Sequence, residues 1–273
     1  MRDLNESSNE RRELLVSEPA KGVLRVTLNR PERLNALTSE VLAELSTVLD
    51  AVAKDSVTRV VILNGAGTSF CAGFDLDEIA QTQEMGLPEL LRNQERWAAA
   101  VQRIVDLPVP VIAAIDGAAV GAGMSLALAA DLRVVTHKAK FGAAFVRIGL
   151  SGADLGLSWS LPRVVGMGVA AELMLTGRNV DAAEAYRIGL ANRLCPDHDL
   201  QSAAMDLAAE ISANSPFGVR LTKQALHAGV DASSFRVAVD MENRNQLLAS
   251  RTEDMAEVMR ARWERRPPRY RNA

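Results

Sequence analysis

Residues 117–126 of the chain read GAAVGAGMSL, and an alanine-rich apolar stretch follows directly. Bare backbone of this kind is useful where something must come close to peptide N–H groups. A helix opening near Ala122 leaves its first amides without helical acceptors and carries a partial positive charge at that end. The loop SFCAGFD, residues 69–75, can bring a second amide to the same point. Two converging N–H donors form an oxyanion hole, which stabilises negative charge as it develops on a carbonyl oxygen. The competing reading is that the glycines only let helix and strand pack closely. Spacing alone does not separate the two.

Other chemistries fit the residues poorly. A dinucleotide loop needs G-x-G-x-x-G between strand and helix, but GAGTSF ends in Phe70 and GAGMSL in Leu126. No G-K-[ST] follows any glycine run, so a P-loop is absent. Cys71 has no histidine near it in sequence and reads as a small buried filler. His137, His198 and His227 lack metal-ligand spacing, and no metal site is expected. Asp116 before Gly117 and Asp131 at a helix end read as structural residues.

The elements that must position these groups can be traced along the chain. ELLVSEP and VLRVTLN are strands about a turn, and RVVILNG, VPVIAAIDG and LRVVT are further strands. Thr38 caps a helix whose Val41, Leu42, Leu45, Val48, Leu49 and Val52 share one face. A second helix is expected over Leu87–Val105 and a third over MSLALAAD. Strand, glycine-rich loop and helix occur twice, near residues 60 and 110, which implies an α/β core. Strand signals end near residue 197, and four helical segments follow. The paired prolines of RRPPRYRNA exclude a regular helix there.

The chain has 273 residues, 48% of them apolar, with a net charge of −3, so a nucleic-acid-binding surface is not expected. Two cysteines do not make a disulfide framework. The first residues are polar with mixed charge, unlike a secretory or transit signal. The uncharged stretch Gly117–Ala130 is too short and too glycine-rich to span a membrane. These features point to a cytoplasmic protein.

LNRPERLNAL, SFCAGFDLDEI, PVIAAIDGAAVGAGMSLALAADLRV and LTGRNVDAAEAYRIGLANRL resemble, in this order, the motifs of the crotonase (enoyl-CoA hydratase/isomerase) superfamily. The resemblance implies an α/β fold: a crotonase/ClpP-like spiral of β-β-α repeats with a C-terminal α-helical trimerisation region. The expected organisation is a flexible N-terminus over 1–12, a spiral core over 13–199 and a helical domain over 200–273. The ligand implied is a coenzyme A thioester, as substrate rather than cofactor. A homotrimer or dimer of trimers is implied, with no nucleic acid or membrane partner. The oxyanion donors map to the amides of Phe74 and Ala122, within a substrate-binding set of Ala72, Gly73, Asp75, Leu76, Gly121, Ser125, Phe145 and Trp159.

The sequence departs from the hydratase pattern at both glutamates. Ser125 stands two residues after GAG, and Phe145 stands four before the glycine of FGAAFVRIG. A serine without an adjacent base and a phenylalanine cannot replace paired carboxylates. Asp154, in GLSGADLGLSW, approximates the position of a catalytic aspartate in isomerases of the family. Burial beside Phe145 and Trp159 would raise its pKa and suit proton transfer, whereas helix capping or an Arg147 partner would make it structural. Isomerase-type proton transfer on an enoyl-CoA is therefore expected over hydration. A hydrolase, a decarboxylase or a non-catalytic acyl-CoA-binding relative remain the alternatives. Phe70, Phe74, Phe141, Phe145 and Trp159 either line an acyl pocket or fill the core. Arg30, Arg33, Arg262, Arg265 and Arg266 are candidates for the phosphates of coenzyme A, with a solvated basic face as the alternative.

Overall fold

The computed structural model describes residues 12–272. Strands among them are β1 (Leu14–Ala20), β2 (Val23–Leu28), β3 (Val60–Gly65), β4 (Val111–Ile115), β5 (Ala118–Val120), β6 (Leu132–Thr136), β7 (Lys140–Gly142), β8 (Asn179–Asp181) and β9 (Arg193–Cys195). The helices are α1 (Ser39–Lys54), α2 (Leu76–Thr82), α3 (Leu87–Asp106), α4 (Ala122–Ala129), α5 (Leu157–Val165), α6 (Met167–Thr176), α7 (Ala182–Arg187), α8 (Leu200–Ser212), α9 (Pro216–Val230), α10 (Phe235–Ala249) and α11 (Glu253–Trp263). The loose N-terminus expected over 1–12 lies, except for residue 12, outside the described residues.

Six strands form one sheet in the order β1-β2-β3-β4-β6-β9, parallel except for the β1–β2 hairpin. Both of its faces are covered, so its central strands are continuous apolar runs rather than alternating ones. Along β3, Val60 and Ile62 pack with Leu200, Ala204, Leu207 and Ala208 of α8. Val61 and Leu63 turn to the other side, into the main core with α1, α3 and α4. The first of the C-terminal helices is thus a layer of the core, although it follows the last strand.

A second, smaller sheet runs β5-β7-β8. Two single bridges extend it: Cys71 pairs with Ala119, and Phe74 with Leu37, both in parallel. Each long strand is therefore followed by a short extended segment in the second layer and then by a helix. The units are β2–Leu37–α1, β3–Cys71/Phe74–α2, β4–β5–α4 and β6–β7–α5. These are the β-β-α repeats expected from the sequence. Their second strands escape propensity reasoning because they are single bridges or three-residue segments, too short for an alternating pattern.

Local chemistry fixes the helices. The Thr38 hydroxyl accepts the Val41 amide at 3.2 Å and caps α1 as expected. Val41, Leu42, Leu45, Leu49 and Val52 are buried, each contributing about 1.5–3 kcal/mol of transfer free energy. All eight residues of α4 are buried, which is why that helix is apolar on every side. At Gly123, a β-carbon would stand 2.1 Å from the Cys71 carbonyl oxygen. At Gly117 it would stand 2.0 Å from the Thr68 carbonyl oxygen, so close packing does require two glycines of the stretch.

A buried ionic cluster ties α9 to this core. Lys223 Nζ lies 2.7 Å from Asp131 Oδ2 and donates to the Val109 carbonyl at 3.1 Å. Asp131 also accepts the Val111 amide at 2.8 Å, and His227 Nε2 is 3.3 Å from its other oxygen. Burial pushes the Asp131 carboxyl up, but His227, Lys223 and the Val111 amide together hold it below the usual range. A depressed carboxylate contributes stability above its unfolded pKa and loses it as the pH falls through the folded value. Lys223→Met removes the buried ammonium partner, leaving only the Val111 amide and His227, and is expected to cost about 3–5 kcal/mol at pH 7. Calorimetric melting at pH 7 and in acid checks this, with the difference shrinking at acid pH.

Candidate active site

The placement of the loop at Phe74 follows from the second sheet. The Leu37 amide donates to the Gly73 carbonyl at 2.7 Å, and the Asp75 amide donates to the Leu37 carbonyl at 2.9 Å. In a parallel bridge of this kind the residue between, Phe74, turns its own N–H to the opposite side. That side faces the end of β5. A β-carbon on Gly73 would meet the Val120 carbonyl oxygen at 3.0 Å and the Ala122 amide nitrogen at 3.7 Å. The backbone at 73–74 thus lies directly against the first turn of α4. Gly121 enters that turn at φ +55, a conformation that disfavours a side chain. Among the described residues, no acceptor takes the N–H of Phe74 or of Ala122. The packing reading holds at Gly123, while Gly73 and Gly121 let the 73–74 loop and the first turn of α4 lie against each other.

The rest of the site closes around these amides. A β-carbon on Gly121 would lie 3.7 Å from the edge of the Phe145 ring. The Phe74 ring packs on Trp97 of α3 with centroids 4.8 Å apart, and Trp97 Nε1 donates to Ser39 Oγ at 2.9 Å. Ala72 donates its amide to the Leu34 carbonyl at 3.0 Å. Leu76, at the start of α2, is exposed. Asp75 caps α2 by accepting the Asp77 amide at 3.0 Å and pairs with Arg30 at 2.9 Å, holding the loop from beneath.

Asp154 lies in the loop before α5, whose main chain meets α4 at Ser125, one turn beyond Ala122. The Ser125 hydroxyl donates to the Asp154 carbonyl at 3.1 Å. The carboxylate oxygen Oδ1 accepts from the Leu155 amide at 2.8 Å and from the Gln94 side chain of α3. Neither structural alternative raised from the sequence is realised. The side chain does not cap α5, whose N-cap is Gly156 without a side-chain bond, and no Arg147 contact is present among the described residues. Burial pushes its carboxyl above the usual range, against the opposing pull of Leu155 and Gln94.

Several expected positions resolve differently. Phe70 and Phe141 are fully buried core residues and line nothing. Trp159 is largely exposed and stacks under the Arg163 guanidinium at 4.0 Å. It is separated from Phe145 by lining a different space, a cleft of about 1250 Å³ bounded by Ser125, Leu155, Trp159 and Leu226. That cleft is not bounded by Asp154, Phe74, Ala122 or Phe145. Burial pushes the Cys71 thiol up to about 12, so it is no nucleophile at neutral pH. Arg30 is committed to Glu13 at 3.1 Å and to Asp75, and Arg266 to Glu257 and Glu264. Arg33 pairs with Asp77 at the surface. Of the five basic candidates, Arg262 and Arg265 alone have no acidic partner among the described residues.

Sequence reasoning missed Gln94 and Trp97. They lie three residues apart on α3, on one face of a helix, and touch the Asp154 and Phe74 sides of the site. The available signal was the apolar face of an amphipathic helix, Trp97, Ala100, Val101 and Ile104, which fixes the side that α3 turns to the core.

A six-stranded sheet with a stacked row of short strands, and the 73–74 loop packed against the N-terminus of a buried helix, define the architecture against which the chain can be compared. The sequence profile described as enoyl-CoA hydratase/isomerase matches residues 18–273. The chain is 40% identical over 260 residues to a Mycobacterium bovis protein named probable enoyl-CoA hydratase, covering 93% of this chain and 91% of the relative. It is 37% identical to the 1,2-epoxyphenylacetyl-CoA isomerase of Escherichia coli, covering 94% of this chain and 98% of the other. The crystal structure of an enoyl-CoA hydratase from Bacillus anthracis superposes with a TM-score of 0.91 at 34% identity, covering 96% and 100% of the two chains. The chain belongs to the enoyl-CoA hydratase/isomerase family, whose fold it has. Among the described residues no helix is long and apolar enough to cross a membrane.

Proposed function

We propose that the protein is an enoyl-CoA isomerase that moves a double bond by proton transfer through Asp154. The observation that carries this reading is the half-buried Asp154 carboxyl, on a loop that meets α4 at Ser125, in a chain where Ser125 and Phe145 stand in place of paired glutamates. The substrate is a β,γ-unsaturated acyl-CoA. Its thioester oxygen accepts the Phe74 and Ala122 amides. The Asp154 carboxylate takes a proton from the α-carbon, and the electron pair delocalises into a dienolate whose charge rests on the thioester oxygen. The carboxylic acid so formed returns the proton to the γ-carbon, giving the conjugated α,β-isomer and regenerating the carboxylate. A raised pKa makes Asp154 a stronger base for the first step and leaves it protonated for the second. No cofactor takes part in this proton balance.

The test supplies β,γ- and α,β-enoyl-CoA thioesters separately and follows conjugated-thioester absorbance together with chromatography of the products. Conversion of the first without hydrate from the second is expected. A 3-hydroxyacyl-CoA formed at comparable rate would replace this reading with hydration.

We also propose that α10 and α11 mediate self-association. Phe235, Leu247 and Trp263 are exposed to 86, 67 and 90% on these helices, an apolar surface that a monomer rarely presents. Light scattering after gel filtration is expected to give a trimer or a multiple of it, and Phe235→Asp to release smaller species.

A further inference from the structure

The Asp154 carboxylate uses its two oxygens unequally. Oδ1 accepts two N–H donors, from the Leu155 main chain and from the Gln94 side chain, while Oδ2 has no donor among the described residues. The Leu155 bond is local to the loop. Gln94 comes from sixty positions away, on α3, and is the one side chain that fixes this carboxyl group from outside its own loop. The same helix face carries Trp97, which packs on Phe74 and is anchored to Ser39. One rigid helix therefore sets the acid–base group and the oxyanion residue relative to each other.

We infer that Gln94 is a positioning residue for proton transfer: its amide holds Oδ1 of Asp154 and leaves Oδ2 as the oxygen that gives and takes the proton. This rests on the reading of Asp154 as the acid–base group. The bond is charge-assisted when the carboxyl is ionised, so it stabilises the basic form that accepts the first proton. It also restricts rotation of the carboxyl group, which proton transfer between two carbons of one substrate requires. Gln94 touches no reacting atom and acts through Asp154.

The two consequences separate from a merely structural role. Gln94→Leu removes the donor, and Gln94→Glu replaces it with a second carboxylate that competes for the proton. The acid limb of the kcat/KM profile for β,γ-enoyl-CoA is expected to move to higher pH in the order wild type, Gln94→Leu, Gln94→Glu. At plateau pH, Gln94→Leu is expected to lose about tenfold in kcat with KM within about threefold, as for a lost positioning contact. Titration of the ¹³C-labelled Asp154 carboxyl, assigned by its loss in Asp154→Asn, should give the same order without any substrate. Circular dichroism and melting confirm that the variants are folded. If Asp154→Asn is inactive while both Gln94 variants keep the wild-type limb, carboxyl titration and kcat, the inference about Gln94 fails and the acid–base reading stands. If Asp154→Asn retains full turnover, the acid–base reading fails and the inference goes with it.

Discussion

Asp154→Asn is expected to reduce isomerisation of a β,γ-enoyl-CoA by about 10²–10⁴-fold, the usual contribution of a positioned acid–base group. KM should change little, because the asparagine is isosteric and removes no contact to the thioester oxygen. The new amide oxygen can still accept from Gln94 and Leu155, so the loop keeps its bonds. The variant should also melt no lower than the parent. Burial raises the Asp154 carboxyl, so its favourable contribution is present at pH below the unfolded value of about 3.9 and is lost as the pH rises through the folded one. At pH 8 the parent carries an ionised carboxylate in a half-buried place, whereas the variant does not. Melting by fluorimetry from pH 4 to 8 should show the variant gaining on the parent as the pH rises. An Asp154→Asn protein with full turnover would remove the group on which the proposed chemistry depends.

Ala122→Pro is expected to cost about 2.7–4 kcal/mol of transition-state stabilisation, or 10²–10³-fold in kcat, by deleting one oxyanion donor. No ordinary side-chain change reaches a main-chain amide, but proline has no N–H. Ala122 is the first residue of α4, where proline is well tolerated because the N–H there has no helical acceptor. The ring carbon that replaces the amide hydrogen also stands where the thioester oxygen is to be received. Binding of coenzyme A itself, measured by calorimetry, should change much less than kcat, since the oxyanion contact concerns only the acyl carbonyl. Turnover within a few-fold of the parent in a folded variant would place the thioester oxygen elsewhere.

Much of the fold was legible because its signals are local. The Thr38 cap, the apolar face of α1 and the runs VVILNG and VIAAI are each dictated by a few neighbouring residues. The short strands of the second sheet were not legible. Ala118–Val120 acquires strand character only by pairing with the remote β7 and Cys71, and the segment at Cys71 only by pairing with Ala119. The helix α2 was also missed, because its seven residues offer a cap at Asp75 but no buried face.

The site divides in the same way. The glycines at 73, 121 and 123 and the substitutions at 125 and 145 could be read directly, as could Asp154 as a nearby acid. The environment of Asp154 could not. Gln94 is sixty positions earlier in the chain, and no periodicity links them. Arg30 and Arg266 looked available for phosphate, yet folding commits both to carboxylates.

The sequence by itself determined which backbone could come close to a ligand and which side chains were present to move a proton. Both are properties of residue type: glycine removes steric bulk, and a carboxyl group titrates wherever it is placed. Only the tertiary structure decided that the backbone at 73–74 lies against the start of α4, that Trp159 opens on a separate cleft, and that Asp154 is held by α3. Those are matters of distance between remote segments and of exclusion from water. They are set when the two sheets and the helices pack, not by any stretch of chain alone.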